Sequence, residues 1–115
     1  MATEWCASHG DLHWKNLTVP NLTLLDWENW GLAPRGYDVA RLMVYAAHVP
    51  TVQEKLYDTF ADEFDSATGV VVLLFALGMV KSDIAAGIAD ATLAPPLDRM
   101  AAALLATRQV GACFR

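Results

Sequence analysis

The stretch GVVVLLFALGMV, residues 69–80, runs without a charge until Lys81 and Asp83 close it. Spanning a bilayer takes about 20 apolar residues in a helix, and this run has 12. Its identity is therefore a buried core helix. A helix that is apolar on most of its surface must be covered by other elements, so the neighbouring sequence should supply further helices.

The sequence after residue 36 does so. From Tyr37 to His48, the apolar residues Val39, Leu42, Met43 and Ala46 fall at helical spacing. Pro50 ends that element. Thr51 is an N-cap candidate for a second helix, with Glu54 three residues on as a capping box. That helix carries Leu56, Phe60 and Phe64 on one face, with Lys55, Asp58 and Glu63 off it. Ser66 is the cap candidate of a third helix, which runs through the apolar stretch to about Asp90. Gly78 and Gly87 weaken it without forbidding it. Pro95 and Pro96 break the chain, and a last helix runs from about Leu97 to Val110.

The first third reads differently. EWCAS, residues 4–8, is a short strand candidate. NLTV and LTLLDW are two apolar runs parted by Pro20 and Asn21, which mark the turn of a β-hairpin. Pro34, Arg35 and Gly36 punctuate a loop before the helices. The expected fold class is α+β, mostly α.

The polar residues of this first third carry the chemistry. In SHGDLHWKNLTV, residues 8–19, Asp11 is followed five positions later by Asn16, and Asp26 ends the apolar run beyond it. The hairpin returns Asp26 toward the loop that holds Asp11 and Asn16. An acid, an amide and a second acid then converge. Such oxygen ligands suit Mg²⁺, which takes one or two carboxylates together with substrate phosphates. A further carboxylate nearby can accept the proton of an incoming hydroxyl. Phosphoryl transfer uses this division: an Asp, four intervening residues, an Asn, and later a metal-binding Asp.

HGDLHWKNLTV followed by LLDWENWGLAPRGYDVARL resembles the catalytic core of the aminoglycoside phosphotransferase and choline kinase family, within the protein-kinase-like superfamily. The resemblance covers roughly residues 5–45, and the helices behind it are compatible with that family's C-terminal lobe. It implies an ATP-dependent small-molecule kinase that phosphorylates a hydroxyl group of, for example, an aminoglycoside. By the resemblance, Asp11 is the catalytic base. Asn16 and Asp26 hold Mg²⁺ on the phosphates of ATP or GTP, His9 structures the loop, and Asp38 braces it through backbone hydrogen bonds. Lys15 is a candidate contact to the γ-phosphate, and Glu28 a candidate for the metal shell or for substrate choice.

Relatives of this kind carry a first lobe with a Gly-rich loop and a strand-borne Lys. Here eight residues precede His9. The expectation is a single C-terminal lobe over residues 1–115, with catalytic loop and hairpin in 5–36, about four helices in 37–113, and the N-terminal nucleotide-binding lobe absent. A lone lobe of this kind would be inactive as an isolated chain. It would self-associate or bind a supplied first lobe. The second function class is thus a truncated, inactive remnant or binding module.

Other readings of the same residues stay open. His9, Asp11 and His13 alternate as zinc ligands can, but His48, in a helical segment, is no convincing further ligand. Trp5, Trp14, Trp27 and Trp30 suit packing around the loop or stacking on a substrate ring. Asp62, Glu63 and Asp65 form an acidic helix end that is either solvated or a seat for a cationic acceptor. A net charge of −5 argues against nucleic acid as a partner. Cys6 and Cys113 lack metal spacing and read as reduced cytosolic thiols. With no targeting segment in MATEWCAS, the expected location is the cytoplasm, away from membranes. The hydrophobic fraction of 55% is high for a short chain, so either the core is tight or an apolar face is uncovered.

Overall fold

The computed structural model describes residues 5–11 and 30–114. The hairpin expected over NLTV and LTLLDW lies outside them. Among the described residues two short strands come first, β1 (Trp5–Ser8) and β2 (Gly31–Pro34). They pair antiparallel, Trp5 opposite Pro34 and Ser8 opposite Gly31. The helices follow: α1 (Tyr37–Tyr45), α2 (Pro50–Thr59), α3 (Ala61–Phe64), α4 (Gly69–Ala85), α5 (Ala94–Thr107) and α6 (Gly111–Phe114). The fold class is α+β, mostly α. Six helices stand where about four were expected, because α3 and α6 are separate single turns of four residues.

Strand β2 was not among the expected elements, and the loop expected at Pro34, Arg35 and Gly36 follows it as a turn at residues 35–36. GLAP has weak strand propensity, with Gly at one end and Pro at the other. Its extended form comes from pairing with β1, a tertiary effect that outweighs propensity. Pro34 sits at the end of this edge strand, where a missing N–H costs the ladder least.

The apolar run forms α4, and its inward face is Val72, Leu73, Ala76, Leu77 and Val80, all buried. Met43 and Val44 of α1 and Leu97 and Leu104 of α5 belong to the same core. Fully burying one such side chain is worth about 1.5–3 kcal/mol, so these helices derive most of their stability from one another. Gly69 opens α4 where the chain passes closest to α3: a Cβ at that position would lie 1.9 Å from the Phe64 carbonyl oxygen. Only glycine allows that approach. The helix stops at Ala85, short of the expected Asp90, because Gly87 turns to φ 76°.

Other boundaries also move, each for a local reason. Helix α2 begins at Pro50 with Val49 before it, and no side chain caps it. Proline at the first helical position has no N–H to satisfy and a φ already suited to helix, so the Thr51–Glu54 box is not used. The face of Leu56, Phe60 and Phe64 is split: α2 ends at Thr59, and Phe60 takes φ −116°, ψ 29° before α3 starts. Ser66 does not cap α4. Its hydroxyl donates to the Glu63 carbonyl at 2.7 Å and closes the end of α3. Pro95 and Pro96 do not break the chain but occupy the first turn of α5, which ends at Thr107, not Val110. A 3₁₀ turn at Ala91–Leu93, opened by an Asp90 side chain that accepts the Thr92 N–H, leads into it.

One buried polar side chain stitches the helices. Gln53 of α2 donates from Nε2 to the Met43 carbonyl at 3.0 Å. That carbonyl lies in the last turn of α1, where it also accepts the Ala46 N–H at 3.3 Å. Both halves of the expectation drawn from composition are realised. A core forms, and apolar side chains are also left in solvent: Trp5, Trp30 and Leu32 near the strands, and Val71, Phe75 and Met79 along the outer face of α4. Among the described residues no helix is long and apolar enough to cross a membrane.

Candidate active site

The site is built where β1 runs out. Residues 9–11 leave the strand as a loop, with Gly10 at φ 86°. They meet the start of α1, which opens directly after the Pro34–Arg35–Gly36 turn. Because β2 is zipped to β1, that turn and the first turn of α1 are held beside the loop.

Asp38 makes the connection. Its Oδ2 accepts the His9 N–H at 2.9 Å and its Oδ1 accepts the Gly10 N–H at 3.1 Å. Two successive main-chain donors thus close on one carboxylate. Hydrogen bonds to an ionised group are worth about 1.5–3 kcal/mol each, so this clamp fixes the backbone just ahead of Asp11. His9 is buried at 2% exposure. Its Nδ1 accepts the Asp11 N–H at 3.3 Å, which leaves the ring proton on Nε2 in the neutral imidazole.

The Asp11 carboxylate is partly exposed and meets a cation that the sequence reading did not single out. Arg41, on the inward face of α1, is 2% exposed. Its Nη2 donates to Asp11 Oδ1 at 3.0 Å and lies 3.8 Å from Asp83 Oδ2 on α4. Its Nη1 donates to the Tyr37 hydroxyl at 3.1 Å. The guanidinium also stands 5.8 Å from the Tyr37 ring centroid and 5.6 Å from that of Tyr45. Among the described residues, Nε has no acceptor. Burial works against the charged guanidinium. The bonded Tyr37 hydroxyl, and then the charge interactions with Tyr37, Tyr45 and Asp11, outweigh it and hold the Arg41 pKa above its ordinary value. Tyr45 is pushed up by burial, against the pull of Arg41 and with the carboxylates of Asp83 and Asp11 adding to the rise.

Arg41 was hidden in the sequence because an arginine in a helix normally reads as an outward charge. The available signal was its place four residues after Tyr37, on the face shared by Ala40 and Val44, both buried.

The remaining expected residues divide. Asn16, Asp26, Lys15, Glu28, His13, Trp14 and Trp27 lie outside the described residues. His9, Asp11 and Asp38 are brought together as above. Trp5 and Trp30 are exposed, at 62% and 68%, and Trp5 borders a recess beside the loop. Two of the three acids of the α3 region have internal partners: Glu63 pairs with Arg35 at 3.0 Å, and the Tyr57 hydroxyl donates to Asp65 at 2.7 Å. His48 lies in the turn after α1, its Nε2 3.2 Å from Thr92 Oγ1. Among the described residues no three His, Cys, Asp or Glu side chains gather as a metal site.

An aromatic-lined recess of about 230 Å³ adjoins the loop, bounded by Trp5, Gly10, Leu32, Tyr37 and Phe75. A carboxylate whose main chain is clamped, in a loop beside a recess, is suited to receiving a proton from a bound hydroxyl. No curated protein and no solved structure matches the chain. The family model described as the phosphotransferase enzyme family does match, over residues 1–71. That span is more than half of the sequence and includes β1, the loop of His9, Gly10 and Asp11, β2 and α1. The chain belongs to the phosphotransferase enzyme family.

Proposed function

We propose that the protein transfers the γ-phosphoryl group of ATP or GTP to a hydroxyl group of a small molecule, with Asp11 as the base. The observation that carries this reading is the clamped loop: Asp38 holds the His9 and Gly10 amides, in a chain of a phosphotransferase family. In the reaction the acceptor O–H gives its proton to the Asp11 carboxylate as its oxygen bonds to the γ-phosphorus. The bond from that phosphorus to the β–γ bridging oxygen breaks, and the oxygen leaves with ADP or GDP. The proton then passes to solvent. Little covalent work falls to the protein, and positioning dominates.

Mg²⁺ is the proposed cofactor, and Asn16 and Asp26 are the residues that would hold it. An amide oxygen and a carboxylate are hard donors of the kind this ion takes. When bound, it neutralises phosphate charge. Lys15 is the proposed contact to the γ-phosphate and Glu28 to substrate. An aminoglycoside is the proposed acceptor, supported by the resemblance of the HGDLHWKN motif. The partnering of Glu63 and Asp65 argues for a cation seat elsewhere than on those two acids. ATP and Mg²⁺ as reagents suit a cytoplasmic location.

Phosphorus NMR of the purified chain with Mg-ATP and, in turn, an aminoglycoside, a choline-like alcohol and a sugar tests the reading. Acceptor-dependent loss of the γ-phosphate signal, with a new phosphate ester, is the expected result of this reading, in place of the inactivity expected of an isolated lobe. No transfer to any of the three would favour the inactive remnant or binding module.

A further inference from the structure

We infer that Arg41 is a positioning residue for the Asp11 carboxylate. The inference rests on the reading of Asp11 as the base. A guanidinium at 2% exposure among Ala40, Met43 and Val44 is a poor choice for stability alone, since an apolar residue of similar volume often serves a core as well or better. What it touches accounts for it. Its bond goes to Asp11 Oδ1 at 3.0 Å, whereas Asp83 stands off at 3.8 Å. Asp38 fixes the main chain of residues 9 and 10, and His9 takes the Asp11 amide. Beyond these main-chain bonds, the Arg41 bond restrains the rotation of the Asp11 side chain.

Arg41 itself has little room to move. Tyr37 takes its other terminal nitrogen, and the rings of Tyr37 and Tyr45 stand on the guanidinium. The labour is therefore divided: one α1 side chain sets the loop backbone, and another, three residues later, sets the carboxylate. A carboxylate bonded to a rigid cation presents itself to an incoming hydroxyl at a fixed angle. Misplacing a reacting group by about 1 Å can cost 10²-fold in rate.

The test compares Arg41→Met, which keeps volume without charge, and Arg41→Lys, which keeps charge without the planar fork. For Arg41→Met the expected result is a fall in kcat of about 10²-fold with nucleotide KM nearly unchanged. Arg41→Lys should recover part of the loss. Asp83→Asn, which removes the more distant acid, should keep kcat close to that of the parent. A folded Arg41→Met protein with the parent kcat overturns the inference, as does a parallel rise in KM that signals general loosening. If the parent protein itself transfers no phosphate, the phosphotransferase reading fails. The contact is then judged by urea unfolding of Asp11→Asn, Arg41→Met and the double variant. An Asp11→Asn effect that vanishes once Arg41 is gone supports the positioning contact, and strict additivity overturns it.

Discussion

Removing the Asp38 carboxylate should unfasten the loop that carries Asp11. In Asp38→Ala, the His9 and Gly10 amides lose their acceptor, at 2.9 and 3.1 Å respectively. Each charge-assisted bond is worth about 1.5–3 kcal/mol, but the site is part-buried and water can replace some of the loss. A net cost of about 3 kcal/mol follows from two bonds discounted in this way. For a domain of this length, unfolding entropy near 2 cal/mol/K per residue makes 1 kcal/mol worth about 4 °C, so Tm should fall by about 12 °C. Asp38→Asn keeps one acceptor oxygen and should lose roughly half as much. Scanning calorimetry gives both shifts, and amide hydrogen exchange at His9 and Gly10 localises them. An unchanged Tm in both variants, with undiminished protection at those two amides, would refute the clamp.

Gly69→Ala places a methyl group 1.9 Å from the Phe64 carbonyl oxygen. Backbone cannot step aside as a side chain can, so urea unfolding should show a loss of about 1–3 kcal/mol or more. At alkaline pH, burial holds the folded-state pKa of Tyr45 above 10.0 and that of Cys113 above 9.0. Both groups bind protons more tightly when folded, so their contribution is intact below the ordinary values and is lost as pH rises through the raised ones. Stability should therefore decline above pH 9, and Tyr45→Phe and Cys113→Ala should each flatten the decline, read by denaturant titration at stepped pH. Under the proposed cofactor assignment, Asp26→Asn should abolish Mg²⁺-dependent ATP binding in isothermal titration, while Asp11→Asn should leave it nearly intact.

The parts of the fold that could be read from sequence were those with local causes. EWCAS stood out as a short strand candidate, helical spacing marked α1, and the charge-free apolar run marked the interior of α4. Strand β2 escaped notice because GLAP is extended only through β1. The start of α5 was misplaced because two prolines suggest a break, yet both fit the first turn of a helix. Phe60 looked like a continuation of one apolar face, but its backbone turns out of helix between α2 and α3. In the candidate site, the spacing of Asp11 and Asn16 suggested phosphoryl transfer, and the family match supports a phosphotransferase. Arg41 was not visible, since its burial depends on α4 packing over α1 and on a loop arriving from 30 residues earlier.

The central claim is that Asp11 serves as the base in phosphoryl transfer to a hydroxyl. Its most direct measurement is transfer of radiolabelled γ-phosphate from Mg-ATP to an aminoglycoside, by the parent chain and by Asp11→Asn at equal concentration. Loss of a positioned base typically costs 10²–10⁴-fold. The expected result is measurable acceptor-dependent label transfer by the parent and a fall of about that size, 10²–10⁴-fold, in the variant. Transfer by Asp11→Asn at the parent rate would contradict the assignment of the base.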